Sequence, residues 1–131
     1  MSEIVIYDGG DNTPRIEVQL DGETVWLSQS QMASLFNVNS QAISKHISNI
    51  YSSGELTQEQ TCSKMEQVQY EGNRHVKRNV KVYNLDMVIS VGYRVNSQQA
   101  TRFRQWATCV LREYLIKGFA MDDDRLKGYL S

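Results

Sequence analysis

The chain opens on short apolar segments with a strand-like rhythm. Ile4-Val5-Ile6-Tyr7, then Arg15 to Leu20 with Ile16, Val18 and Leu20 alternating, then Thr24 to Leu27, read as three strands. Asp21-Gly22 predicts a two-residue hairpin between the second and third, because both residues tolerate the positive φ that such turns need. Asp8-Gly9-Gly10-Asp11-Asn12 and Pro14, the only proline, predict a looser first link. Together these segments form a small meander.

From Ser28 the period changes to about 3.6, with Met32, Leu35 and Phe36 on one helical face and Ser28 placed as N-cap. That helix is expected to end near Asn37. A second runs from Ser40, as its cap, to Tyr51, with Ile43, Ile47 and Ile50 inward, and stops at Ser53-Gly54. Residues 61–70 and 75–84 alternate as paired strands around a Gly72-Asn73 turn, with Val76, Val80 and Val82 on one face and Lys77, Asn79 and Lys81 on the other. Two helices follow, Leu85 to about Val95 and about Ser97 to Phe119. In the longer one Ala100, Phe103, Trp106, Ala107, Val110, Leu111, Tyr114 and Leu115 make a broad apolar stripe, and Gly118 is the expected stop.

The pattern is therefore α+β: a winged helix-turn-helix with an N-terminal β-meander and a C-terminal amphipathic helix. Residues 1–120 form one domain (strands in 1–27, helix-turn-helix in 28–54, wing hairpin in 61–84, helices in 85–119). Residues 121–131, with Asp122-Asp123-Asp124, read as a linker or disordered tail.

In QSQMASLFNVNSQAISKHISNIY, Ala33 is small where two helices cross, Asn37 can take the left-handed conformation that leaves the first helix, and Val38 seals the turn. The spacings from Ala33 to Asn37, Ile43 and Ile47 match many repressors; Asn37 in place of Gly and His46 at an inward position depart from them. If the second helix enters a major groove, Asn39, Ser40, Gln41, Ser44, Lys45, Ser48 and Asn49 would reach base edges, with side chains suited to reading adenine, guanine or phosphate.

Composition sharpens this picture. The 131 residues are 40% apolar, enough for one core, with no run of about 18 apolar residues to span a membrane and no secretory layout at the start. A cytoplasmic protein with Cys62 and Cys109 as thiols is expected. The net charge of −1 hides an asymmetry: residues 1–73 hold three basic and ten acidic side chains, whereas 74–118 hold nine basic against Asp86 and Glu113. Within the basic part, Arg74, His75, Lys77, Arg78 and Lys81 gather at the hairpin, where they can face phosphates.

Other chemistry is poorly supplied. Phosphate loops, nucleophile elbows and metalloprotease motifs are lacking, the two histidines and two cysteines have no ligand spacing, and no cofactor or catalytic group is expected. Trp26, Phe103, Trp106 and Tyr114 sit on apolar faces and read as core, which leaves an RNA binder without a stacking platform.

TVWLSQSQMASLFNVNSQAISKHISNI, YNLDMVISVGYRVNS and ATRFRQWATCVLREYLIKGFAMDDDRLKG together resemble the N-terminal part of the RhuM family of bacterial virulence-associated proteins, from about Ile4 to Gly128. The stretch from Tyr83 through Phe119 is also similar, more loosely, to the N-terminal domain of phage antirepressors. Family members are usually longer, so the resemblance implies a C-terminal part absent from this chain; it implies no catalytic residues. The expected function is duplex DNA binding, as a transcriptional regulator or the targeting part of a longer protein. The alternative is a protein-interaction module, with a homodimer through the C-terminal helix and no DNA.

Overall fold

A computed structural model describes residues 3–10 and 15–121, with side chains to 116; most of the first loop and the tail from 122 onward lie outside it. The three N-terminal strands form as expected: β1 (Glu3–Asp8), β2 (Arg15–Asp21) and β3 (Thr24–Ser28). The β2–β3 turn is displaced by one residue. Asp21 pairs with Thr24, so Gly22 and Glu23 make the turn, and Gly22 takes a positive φ of 68°, which glycine adopts without steric cost.

The helix α1 (Gln29–Phe36) starts at Ser28, whose hydroxyl accepts from Gln31 N while the Gln31 side chain accepts from Ser28 N, a reciprocal pair that satisfies two otherwise orphaned amides. It ends at Asn37, left-handed at φ 56° and ψ 48°, and Val38 N closes the turn on Ala33 O at 3.0 Å. The next helix, α2 (Ser40–Ser52), is capped by Asn39 rather than Ser40: Asn39 Oδ1 accepts from Ala42 N at 2.7 Å, and Ser40 is already helical. A single turn not foreseen from periodicity, α3 (Gln58–Thr61), leads into β4 (Cys62–Glu71) and β5 (Arg74–Asn84), joined by Gly72 and Asn73. Then come α4 (Leu85–Val95) and α5 (Ser97–Met121). Gly118 does not stop α5, since one helical glycine costs only about 1 kcal/mol and the backbone hydrogen bonds carry the helix past it.

The meander and the later hairpin are one antiparallel sheet of order β1-β2-β3-β5-β4, joined where Trp26, Leu27 and Ser28 pair with Asn84, Tyr83 and Val82. Ile16, Val18, Leu20, Val25, Leu27 and Tyr83 line the side covered by helices, and Met32, Leu35, Phe36, Ile43, Ile47, Ile50, Met87, Val88, Val91, Ala100, Phe103 and Ala107 complete the core. Tyr7 closes one end, edge-on to Phe103 and Trp106. At Gly92 α4 packs closely on both α1 and α5: a Cβ there would lie 2.6 Å from Phe36 Cζ and 2.7 Å from Ala100 Cβ.

Beyond Val82, β4 and β5 leave the body as a two-stranded ribbon. Its middle is not free. Gln67 donates to Gln19 Oε1 at 2.7 Å and to Gln31 Oε1 at 3.3 Å, which ties the ribbon to the outer face of β2 and the start of α1.

Candidate nucleic-acid interface

The outward side of α2 follows from its inward one. Ile43, Ile47 and Ile50 are buried, so at 100° per residue Gln41, Ser44, Lys45, Ser48 and Asn49 must point away, and all five are exposed. None of these five side chains is hydrogen-bonded to another described residue. The two residues before them are partly engaged: Asn39 caps the helix, and Ser40 accepts from Gln29 Nε2 at both its carbonyl, 2.8 Å, and its hydroxyl, 2.9 Å. Those bonds fix the first turn of α2 against α1. His46 is half-buried.

The ribbon divides the five residues expected to act as one basic patch. Residues directly opposite in an antiparallel pair share a face, and here the pairs are Tyr70 with His75, Val68 with Lys77, Glu66 with Asn79 and Lys64 with Lys81. His75, Lys77 and Lys81 therefore share one face with Lys64. Arg74, opposite Glu71, and Arg78, opposite Gln67, lie on the other. The face of Lys64 and Lys81 continues that of Cys62 and Tyr83, which is the side of the sheet covered by helices.

Two cations are partly neutralised. Arg78 Nε and Nη2 reach Glu71 at 2.7 and 3.0 Å, which holds the Glu71 carboxyl below the usual range and pushes the guanidinium further up. Lys77 Nζ lies 3.7 Å from Glu66. Lys64, Arg74 and Lys81 have no carboxylate within ion-pair distance among the described residues. At the tip, exposed Tyr70 packs edge-on against His75 at 4.4 Å between ring centres.

Lys64 was not among the residues expected to act. It is distant in sequence from the basic cluster, but the Gly72-Asn73 turn sets the register, and counting back from it places Lys64 opposite Lys81.

The base of the ribbon is anchored to α2. Tyr51, in the last turn of that helix, shares a 2.8 Å hydrogen bond with Thr61, and burial raises its phenol. Tyr83 beside it is pushed up to about 12, first by burial and then by the Cys62 thiol. Cys62 and Cys109 are both free thiols. Arg94 on α4 clamps Glu55, just after α2, at 3.1 and 3.3 Å, and holds that carboxyl below its usual range. No helix among the described residues is long and apolar enough to cross a membrane.

Among known proteins, neither a curated sequence nor a solved structure matches the chain. The family profile described as virulence protein RhuM family matches residues 60–131, which covers the ribbon, α4, α5 and the tail but begins after the α1–α2 pair. That match takes in more than half of the 131 residues, and the chain belongs to the RhuM family of virulence proteins.

Proposed function

We propose that this protein is a duplex DNA-binding module of winged helix-turn-helix type, acting as a transcriptional regulator or as the DNA-targeting part of a longer RhuM-like protein. The observation that carries this reading is the outer side of α2: five exposed, uncommitted donors and acceptors on a helix whose start is locked to its neighbour. Gln41, Ser44, Lys45, Ser48 and Asn49 read base edges in a major groove, while Asn39 and Ser40 set the helix start and offer their remaining donors to phosphate. Lys77, His75 and Lys81 on the ribbon run along the backbone. Arg74 and Arg78 contribute less, because they occupy the opposite face and Glu71 holds Arg78. The acidic N-terminal meander faces away from DNA, and the module does no chemistry of its own.

Selection of bound duplexes from a random pool, followed by affinity measured against salt, tests this. Steep loss of affinity with salt is expected, and Lys45→Glu should weaken binding by at least tenfold at low salt. A protein with no affinity for any duplex at low ionic strength would refute the proposal.

A second reading rests on α5, where Leu115 and Ile116 are 47% and 63% exposed. In that reading the helix docks a partner or a second copy and DNA plays no part. Light scattering beside the duplex assay separates them: a tight dimer indifferent to DNA favours docking.

A further inference from the structure

We infer that Lys64 and Lys81 together grip a single phosphate of the DNA backbone, at the stem of the ribbon. This rests on the duplex-binding reading. The two lysines are directly opposite across β4 and β5, on one exposed face, and no described carboxylate reaches either. Like charges directly opposite on a strand pair are destabilising, so an unpartnered Lys–Lys rung works against the fold that contains it. Elsewhere on the same ribbon the chain does provide partners: Glu66 for Lys77 and Glu71 for Arg78. At this rung, where two cations face each other, the described residues provide none, which is what an external anion requires.

Position makes the rung suitable for holding a ligand. The neighbouring rung on the same face is Cys62 with Tyr83, where Tyr83 is buried, and β5 is stitched to β3 at Val82, Tyr83 and Asn84. The lysine pair thus sits on the first rung beyond the stretch of β5 that is paired on both sides, and not at the ribbon's tip. Its Cβ atoms are about 5 Å apart, close enough for two four-carbon stems to converge on one group. A phosphodiester fits, being a monoanion with two non-bridging oxygens, each of which accepts from one ammonium. Gripping it relieves the repulsion within the pair, so binding gains what the free fold gives up. The next rung on the same face, Cys62 with Tyr83, follows directly on Thr61, which is hydrogen-bonded to Tyr51 of α2, so the pair lies between the base-reading helix and the cations further along the ribbon.

The test uses the full chain and a selected duplex, with affinity measured over a fourfold range of salt for wild type, Lys64→Gln, Lys81→Gln and the double variant. Gripping one phosphate predicts that the double variant lowers the salt slope by about 0.9, so it loses about 3.5-fold less affinity than wild type across that range. Each single variant should bind more weakly than wild type. In the absence of DNA each variant should melt at or above the wild-type temperature, because removal of one ammonium ends the repulsion. A wild-type slope in the double variant, a slope change near twice that size, or a fall in melting temperature would overturn the shared-phosphate site while leaving duplex binding intact. A wild-type protein with no salt-dependent affinity for any duplex would instead remove the reading beneath it.

Discussion

Gln67 donates from Nε2 to Oε1 of Gln19 at 2.7 Å, and Gln19 in turn reaches the Glu66 carbonyl at a longer 3.5 Å. Gln67 also donates to Gln31, whose side chain completes the cap of α1. One amide network therefore joins the ribbon, the outer face of β2 and the first turn of the helix pair. Gln19 is 7% exposed, so its truncation leaves buried polar groups unmatched. Gln19→Ala should cost about 1–3 kcal/mol in denaturant unfolding and speed amide exchange in the middle of β4, while the α4 amides stay protected. Unchanged exchange in β4 would show that the network does not hold the ribbon.

Gly92 is buried where α4 meets α1 and α5, with Phe36 Cζ and Ala100 Cβ at 2.6 and 2.7 Å from any added Cβ. Gly92→Ala should destabilise by about 1–3 kcal/mol through overpacking, although alanine is the better helix former. Pairing it with Phe36→Leu should recover part of the loss. If alanine alone proves neutral by urea titration, the close approach is not real.

Asn37 holds φ 56° between α1 and α2, and that single left-handed residue directs the second helix. Asn37→Gly should keep stability within about 0.5 kcal/mol, whereas Asn37→Val, β-branched in a left-handed position, should lose about 1–2 kcal/mol. Thermal melts of the two variants side by side check the contrast. Equal effects would mean that the turn tolerates another path.

Burial raises the Tyr83 phenol to about 12 in the fold, against about 10 in an unfolded chain. Because the folded value is the higher, the contribution to stability is complete below pH 10 and is lost as pH rises from 10 to 12. Urea unfolding at pH 9 and pH 11 should show a drop for wild type that is smaller in Tyr83→Phe. Identical pH dependence in the two proteins would contradict the assignment.

Much of this architecture is legible in local pattern. Ser28 followed three residues later by Gln31 marks the start of α1, and the switch in period at Ser28 separates strand from helix, because capping and periodicity act within one or two turns of chain. Asn39 against Ser40 was less legible: both residues can cap, and the choice depends on the angle at which left-handed Asn37 releases the chain. The candidate base readers on α2 follow from the three buried isoleucines. The division of the ribbon's cations between two faces follows from the register, and it changes which of them can act together.

Local pattern alone was enough to fix the order of every element except α3, the helix pair on either side of Asn37 and the two-residue turn of the ribbon, since each depends on the conformational preference or spacing of neighbouring residues. Long-range packing was needed to show that meander and hairpin share one sheet through β3 and β5, that Gln67 fastens the ribbon to Gln19, and that Glu71 occupies Arg78 while Lys64 and Lys81 have no carboxylate partner among the described residues. Those outcomes join residues far apart in the chain, where strand pairing, side-chain reach and burial select among many contacts that local preference leaves equal.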